Sequence, residues 1–326
     1  MARQDVGSTY RLWLIGPLVF AAWSTCACGW VGVDVAPAGD ALDGSLTEAG
    51  ASDAGDSSVD DAAALDAGPE CDLSGVWASV LDVQISWPTA ILSGGTGTLR
   101  VWTRIQITQQ DDVPQLSIVP CNVRIPDFAL NPAVANEVYG MTYPLTVFDQ
   151  VPTRLQQASS TARLTGALLS VPATAIMLGA TLANPLTDAW PVVGSVTQAD
   201  DDMNGKPAVH VNAKSGLSPA GMPYSFTPLD LNLRARADIS YLAARLGFSS
   251  TVTLTSCAAG SGSASVSTFD THVVGCRVAG SANDCDTTQR DFIDAQRPAY
   301  SAGAASQSLV RLTGATTCAA VRAALP

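Results

Sequence analysis

Apolar and polar residues alternate along much of the chain from Cys71 onward. A period of two places one set of side chains on a buried face and the other set on a solvated face, as in antiparallel sheets. Five segments show this alternation, namely residues 81–87, 99–107, 141–147, 229–241 and 251–255. The pattern predicts an all-β body, built as an antiparallel β-sandwich or barrel.

Residues that favour turns separate the alternating segments. The predicted turns are Gly94-Gly95, Asp111-Asp112, Asn204-Gly205 and Gly260-Ser261-Gly262. Helix signals are confined to the last part of the chain, where Asp286 can cap a short helix over residues 287–296 and residues 316–325 can form another. The body is therefore expected to contain only minor short helices.

Residues 1–28 have the pattern of an export signal. Arg3 and Arg11 precede an apolar run over residues 12–23, which is too short to span a bilayer core of roughly 30 Å. Small residues surround Cys26 and Cys28 directly after this run, and the arrangement resembles the lipobox of bacterial lipoproteins. The resemblance implies lipidation at Cys26 or Cys28, with simple secretory cleavage or an uncleaved anchor as alternatives.

The acidity of the chain is concentrated in the segment that follows. The net charge is −12, and residues 31–70 hold ten acidic residues and no basic residue. A segment of Ala, Asp, Gly and Ser has too little apolar surface to offset the entropy of ordering. We therefore predict a disordered tether over residues 29–70 that lifts the body off a membrane, with an unselected low-complexity tail as the alternative.

The folded body is expected over residues 71–326, with two halves near 71–199 and 206–326. Its acidic and basic residues nearly cancel, since they sum to −3. The body has no clustered positive surface, which disfavours a nucleic-acid partner. The charge of the whole chain therefore describes the tether and not the body.

The cysteines indicate an oxidising compartment. The body holds an even number of them, on a chain with an export signal, and this favours three disulfides among Cys71, Cys121, Cys257, Cys276, Cys285 and Cys318. Fifteen pairings are arithmetically open. The pair easiest to close is Cys276–Cys285, because the residues RVAGSAND between them form a flexible loop. Zinc is the rival interpretation, but the body has no CxxC motif and only two histidines.

One acidic motif has the spacing of a calcium loop. Asp200, Asp202 and Asn204 match the first three ligand positions, and Gly205 matches the sharp turn. The twelfth position is Val211, where such a loop carries a bidentate Glu. Calcium bound by Asp200, Asp202 and Asn204 is one hypothesis, and a plain hairpin turn at Asn204-Gly205 is the other.

The two histidines provide the main catalytic hypothesis. Asp270 and His272 are two residues apart, so a strand would place both on one face. A secreted hydrolase could use this pair, but the chain has no Gly-x-Ser-x-Gly motif to present a nucleophile. A structural role for both histidines is the alternative, and no catalytic residue is assigned.

The opening of the body, Gly75-Val76-Trp77, resembles the Gly-x-Trp signature of lipocalin-like (calycin) proteins. That resemblance implies a tryptophan at the closed end of a barrel and an arginine from the end of the chain beside it. Arg277 and Arg311 are the candidates for the arginine. It further implies an apolar ligand carrier as one function, whereas an ordinary core tryptophan is the alternative.

A broader resemblance covers most of the chain. The signal, the tether and the segments CDLSGVWA, SWPTAILSGGTGTLRVW, PCNVRIPDF, DDDMNGKPAV and FDTHVVGC together look like uncharacterised predicted lipoproteins of myxobacteria-type bacteria. The resemblance implies a location and no activity. We expect an exported protein, anchored to the outer membrane by its N-terminal lipid or free in the periplasm or outside the cell. Its expected role is binding or surface interaction and not catalysis.

Overall fold

The structure, a computed structural model, describes residues 71–88, 92–130, 132, 136–150, 155–190, 199–225 and 237–326. The predicted signal peptide with Cys26 and Cys28 and the predicted tether lie outside these residues. Strands account for 58% of the structure and helices for 9%. This confirms the predicted all-β class with minor short helices.

The long strands form the frame of the body. They are β1 (Gly75–Trp87), β2 (Gly95–Gln110), β3 (Val113–Arg124), β9 (Leu168–Leu178), β12 (Ala237–Ser256), β13 (Ala259–Val278) and β14 (Ser301–Arg311). The short strands are β4 (Phe128–Ala129), β5 (Val138–Tyr139), β6 (Met141–Thr142), β7 (Ala158–Thr161), β8 (Arg163–Thr165), β10 (Val209–Ala213) and β11 (Tyr224–Ser225). The helices are α1 (Leu145–Gln150), α2 (Thr287–Ala295) and α3 (Cys318–Ala324).

Eleven strands form one sheet. Nine of them follow the order β6-β10-β12-β13-β14-β1-β2-β3-β7. The other two lie off this path, where β9 pairs with β12 and β8 pairs with β9. All of these pairings are antiparallel. A second sheet has the order β11-β5-β4. Strands from both suggested halves share the main sheet, because β9 pairs with β12 and β1 pairs with β14.

The main sheet curves back on itself, but it does not close into a barrel. β7 pairs with β3, and β8 pairs with β9. Ala162 separates β7 from β8, and its N–H donates to Pro114 O at 2.8 Å. Of the two architectures that the sequence leaves open, the closed barrel is therefore not formed.

The connections at the two ends of the long strands differ in length. At one end, two-residue connections join β2 to β3, β8 to β9 and β12 to β13. The chain enters the body at this end, and we call it the Cys71 end. At the other end, the far end, the longer connections 125–157, 179–236 and 279–300 join β3 to β7, β9 to β12 and β13 to β14. Loops of this kind carry binding and catalytic residues more often than tight turns do.

The core follows the alternation seen in the sequence. In β2, Leu99, Val101, Ile105 and Ile107 are buried, whereas Gln106 is exposed. At the far end the core finishes in a group of packed aromatic rings, which are Trp87, Phe128, Tyr139, Phe269 and Tyr300. The interior is therefore filled with side chains along its length.

Three of the predicted local structures are wrong. The alternating segment 141–147 is not one strand, because β6 ends at Thr142 and α1 begins at Leu145. Pro144 lies between them; it has no N–H to donate to a sheet and its fixed φ suits the start of a helix. The hairpin at Asn204-Gly205 is also absent, since residues 200–208 form a loop that closes through a parallel bridge between Asp200 and Ala208.

The predicted turn at Gly260-Ser261-Gly262 lies inside β13. The chain reverses earlier, at Cys257-Ala258, between β12 and β13. A Cβ atom on Gly262 would overlap the carbonyl oxygen of Thr251 on the neighbouring strand. Glycine at this position therefore permits close approach of two strands and does not mark a turn.

Both predicted helices are present. Asp286 is the N-cap of α2, where its side chain accepts from Gln289 N at 2.8 Å and its own N–H donates to the Gln289 side chain. This reciprocal pair is a capping box. Thr317 is the N-cap of α3, where its side chain accepts from Ala320 N at 3.2 Å.

Candidate functional site

A groove of about 620 Å³ lies on the outer face of β14, β1, β2 and β3. We call it the charged groove, and its lining residues are Asp82, Gln84, Thr98, Arg100, Arg124, Pro126, Asp127 and Ser306. Sites for small molecules in proteins have volumes of about 300–1,000 Å³. The charged groove is therefore large enough for a small ligand.

Arg100 forms the floor of the charged groove. Its Nε and Nη2 donate to the two Asp82 carboxylate oxygens at 2.7 and 3.0 Å, and its Nη1 donates to Pro326 O at 2.8 Å. The hydrogen bond to Asp82 raises the pKa of Arg100. Its guanidinium also lies 5.5 Å from the centre of the Trp102 ring. Arg100 is thus held in place by partners within the protein.

Asp127 lies on the wall of the charged groove, just before β4. Its carboxylate accepts from Lys214 Nζ and, at 2.7 Å, from the Tyr224 hydroxyl. The hydrogen bond to Asp127 raises the pKa of Tyr224. Arg124, in contrast, pairs with no carboxylate in the part of the chain that the structure describes. Its guanidinium is exposed and available to an acidic group of a ligand.

The interior of the sheet offers much less space. An apolar cavity of about 30 Å³ lies among Leu99, Val123, Tyr143, Leu246 and Phe269. This volume holds about one or two water molecules. An apolar carrier of the lipocalin type would need a cavity about ten times larger.

Arg311 and not Arg277 is the arginine beside Trp77. Arg311 is the register partner of Trp77 on β14, and its guanidinium donates to the carbonyls of Asp72, at 3.0 Å, and Ser74. Gly75 has a φ of +133° and a Cβ there would lie 3.3 Å from Arg311 Nε. The glycine of the Gly-x-Trp motif therefore permits both this backbone conformation and the approach of Arg311. Arg277 pairs instead with Asp238 at 2.9 Å.

The loop 200–208 brings the three predicted calcium ligands together. Both carboxylate oxygens of Asp200 accept backbone N–H groups, from Asn204 and Gly205, at 3.0 Å. Asn204 Oδ1 accepts from Lys206 N at 2.7 Å. These oxygens already have hydrogen-bond donors within the protein, and the calcium hypothesis for Asp200, Asp202 and Asn204 stays a prediction.

Asp202 in the same loop is a buried partner of His210. Its Oδ2 contacts His210 Nδ1 and accepts from the His210 backbone N–H at 2.9 Å. Burial raises the pKa of Asp202, but these hydrogen bonds and the imidazole outweigh it, so the pKa is lowered. These contacts tie the loop to His210 of β10.

Asp201 is buried beneath the loop. It is 4% exposed and accepts from Gly179 N at 2.6 Å. Burial, with the charges of Asp202 and Asp200, raises its pKa to about 6, although the hydrogen bond from Gly179 acts in the opposite direction. A negative charge is therefore unfavourable at this position.

Asp270 and His272 do not form a pair with each other. His272 Nδ1 lies 3.0 Å from Asp294 Oδ2 on α2, and Asp294 Oδ1 accepts from Val273 N at 2.8 Å. Burial raises the pKa of Asp294, but the hydrogen bonds from His272 and Val273 and the charge of Arg297 lower it overall. Among the described residues, no serine hydroxyl is hydrogen-bonded to His272.

Asp270 is the partner of a buried arginine. Arg245 donates to Asp270 Oδ2 through Nε and Nη2 at 3.0 and 2.6 Å, and through Nη1 to Asp188 O and Pro185 O at 2.7 and 3.2 Å. Its Cζ lies 5.1 Å from the centre of the Trp190 ring. These contacts hold residues 185–190 against the outer face of β12 and β13.

Trp190 contacts both the Arg245–Asp270 pair and the His272–Asp294 pair. Its ring stacks on His272, with centroids 5.8 Å apart and an angle of 20° between the planes. Because one face of the imidazole is covered, His272 is enclosed between Trp190 and Asp294. The arrangement favours a structural role for His272.

The six body cysteines form three disulfides, Cys71–Cys257, Cys121–Cys318 and Cys276–Cys285. The pair that the sequence favoured, Cys276–Cys285, is among them. Disulfides of this number indicate an oxidising setting outside the cytoplasm. No helix among the described residues is long and apolar enough to cross a membrane.

Three comparisons with known proteins bear on the site. No family model, curated protein or solved structure matches the chain. In the described part of the body, no group of three or more His, Cys, Asp and Glu side chains is placed to hold a metal ion.

Sequence reasoning missed Arg124, Arg245, Trp190 and Asp294. The sequence contained a signal only for the pairing of Asp82 with Arg100, because the alternation of apolar and polar residues puts both on the polar faces of neighbouring strands. Asp294 meets His272 because α2 packs on β13, and no spacing in the sequence encodes that contact.

Proposed function

We propose that the protein is an exported cell-envelope lipoprotein whose β body binds a small polar ligand in the charged groove. The observation that carries the proposal is the groove itself, which is open, about 620 Å³ in volume and lined by polar side chains. Three of its four charged residues are neutralised by protein partners, whereas Arg124 is not. An unpaired guanidinium is suited to a carboxylate or phosphate.

The difference in connection length between the two ends of the body supports a role in presenting the far end to the surroundings of the cell envelope. The chain enters at Cys71, and the long connections lie at the opposite end of the strands. With lipid on Cys26 or Cys28 and a self-repelling tether over residues 29–70, the far end is free to face away from the anchoring membrane. The wall that carries Gln84, Thr98 and Pro126 lies towards this far end.

Binding is favoured over catalysis by the surroundings of the titratable groups. His210 and His272 are each bound through Nδ1 to a buried carboxylate, and neither lines the charged groove. The interior cavity of about 30 Å³ also argues for a ligand on the outer wall instead of an apolar ligand inside.

Native mass spectrometry tests the binding function. The mature protein, incubated with a polar extract of envelope material from its producing cells, is expected to retain a small-molecule adduct. Arg124→Gln should lose the adduct, and Arg290→Gln, an arginine on α2 away from the groove, should keep it. A wild-type protein without any adduct, or one that binds only extracted lipid, contradicts the proposal.

Detergent partition tests the anchor. The full chain expressed with its signal should enter the detergent phase, and the double variant Cys26→Ser/Cys28→Ser should remain in the aqueous phase. Equal partition of both proteins contradicts lipidation. The result is independent of ligand binding, because both cysteines lie outside the body.

A further inference from the structure

A second groove, of about 370 Å³, crosses the outer faces of β8, β9, β12 and β13. Seven of the eleven residues that line it carry a hydroxyl group, and none carries a carboxylate. We call it the hydroxyl groove. Its single charged residue is Arg163, which lies on β8 and is exposed.

The polar side chains of the hydroxyl groove lie in rows across the sheet. Arg163 is the register partner of Ser170, Ser170 of Thr251, and Thr251 of Ser263. Neighbouring strands are about 4.8 Å apart, so the row is roughly 14 Å long. A second row, about 7 Å away along the strands, includes Ser249 and its partner Ser265.

The strand pairing is irregular along the groove. The register between β12 and β9 shifts between Phe248 and Ser250, and Pro172 on β9 lies at this shift. The register between β12 and β13 shifts between Gly247 and Phe248. Ser250 lies beneath the groove, 6% exposed, and its hydroxyl has no hydrogen-bond partner in the protein. The site is thus rich in polar groups that the fold itself does not use.

Arg163 differs from most of the arginines that the structure describes. Arg100, Arg245, Arg277, Arg290, Arg297 and Arg322 all pair with carboxylates. Within the described residues Arg163 pairs with none, and no acidic residue lines its groove. An anion that enters the groove therefore meets an unpaired guanidinium without repulsion from a neighbouring carboxylate.

We propose that the hydroxyl groove binds a sugar that carries an acidic group. A guanidinium binds carboxylate and phosphate groups through two parallel N–H donors. Serine and threonine hydroxyls both donate and accept, as the hydroxyls of a sugar do. The acidic group lies at Arg163, and the sugar ring lies along the row of Ser170, Thr251 and Ser263. This site is separate from the charged groove and does not depend on it.

Calorimetric titration of the mature protein tests the proposal with three probes, namely glucuronate, glucose 6-phosphate and glucose. Both acidic probes are expected to bind, glucose should bind at least tenfold more weakly, and the tighter acidic probe identifies the acidic group. Arg163→Gln should raise the Kd of the acidic probes at least tenfold. Affinity should also fall with added salt.

Arg124→Gln is the matched variant, because it removes the unpaired arginine of the charged groove instead. Binding that survives Arg124→Gln and is lost in Arg163→Gln supports the hydroxyl groove. Loss in Arg124→Gln with retention in Arg163→Gln overturns this inference and leaves the proposed function intact. Equal affinity for glucose and the acidic probes, or no binding of the acidic probes at millimolar concentration, also overturns it.

Discussion

Cys71 and Cys257 are joined by a disulfide although 186 residues separate them in the sequence. The bond ties the residue at which the chain enters the body to the turn between β12 and β13. Cys121–Cys318 spans 197 residues and holds α3 against β3, whereas Cys276–Cys285 spans 9. The three bonds therefore restrict the unfolded chain to very different degrees.

The two long-range disulfides should contribute more stability than the short one. Removing Cys71–Cys257 or Cys121–Cys318 by paired Ser substitutions should lower the free energy of unfolding by about 5 kcal/mol, and removing Cys276–Cys285 by about 2.5 kcal/mol, because the unfolded chain gains more entropy when a longer loop is opened. Denaturant unfolding of the three double variants measures the order. If removal of Cys276–Cys285 lowers the free energy of unfolding more than removal of either long-range bond, the expectation is contradicted.

Asp201 should make the protein less stable as the pH rises. Its pKa in the folded protein is about 6, above the ordinary value of 3.8, so the folded state holds the proton more firmly. The stability that this carboxyl contributes is present below about pH 4 and is lost as the pH rises to about 6. At pH 8, Asp201→Asn should raise the free energy of unfolding by on the order of 1–2 kcal/mol.

The matched control for Asp201 is Asp112→Asn, in the exposed turn between β2 and β3. It should leave both the stability and its pH dependence nearly unchanged. Thermal melts at pH 4, 6 and 8 compare the variants with the wild type. If Asp201→Asn shifts the melt equally at all three pH values, its effect arises from packing and not from charge.

Arg311 should stabilise the Cys71 end of the body. Its guanidinium donates to two backbone carbonyls, of Asp72 and Ser74. Arg311→Met leaves both carbonyls without these donors and should lower the free energy of unfolding by about 1–3 kcal/mol. Arg290→Met, which removes an arginine paired with the adjacent Asp291 on the surface, should cost less than about 1 kcal/mol. If the two variants lose the same free energy of unfolding, Arg311 acts only as a surface charge.

Arg245 should hold residues 185–188 against the sheet. It is 7% exposed and donates to Asp270, Pro185 and Asp188. Arg245→Met removes all of these contacts and should lower the free energy of unfolding by about 2–4 kcal/mol. Limited proteolysis should cleave the variant faster near residues 183–188.

The control for Arg245 is Arg277→Met, on the same pair of strands. Arg277 pairs with Asp238, and both side chains are about one-third exposed, so its removal should cost less than about 1 kcal/mol. Unchanged proteolysis in Arg245→Met would contradict the role assigned to this arginine.

Local sequence signals predicted the parts of the fold that depend on local chemistry. The alternation in residues 81–87 and 99–107 lies in β1 and β2, and Asp286 caps α2. Cys276–Cys285 forms across a short loop, where closure needs little more than proximity in sequence. The segment 141–147 was misassigned because Pro144 changes the backbone geometry while the apolar spacing still imitates a strand.

The candidate sites could not be predicted in the same way. His272 meets Asp294, and Asp270 meets Arg245, through the packing of α2 on β13 and the pairing of β13 with β12. The sequence places Asp270 and His272 close together, but their nearer neighbours in space come from elsewhere in the chain. Arg124 and Arg163 gained significance only when the structure showed that each lines a groove and lacks an acidic partner.

The sequence by itself determined the class of the fold, the number of body cysteines and the separation of an acidic segment, residues 31–70, from a nearly neutral body. These properties follow from side-chain period, residue counts and charge, which do not depend on how distant segments meet. Tertiary structure alone decided that the sheet does not close into a barrel, which cysteines pair over long range, and where unpaired arginines face polar grooves. Each of these depends on contacts between residues far apart in the chain, and such contacts are set by the balance of packing over the whole body.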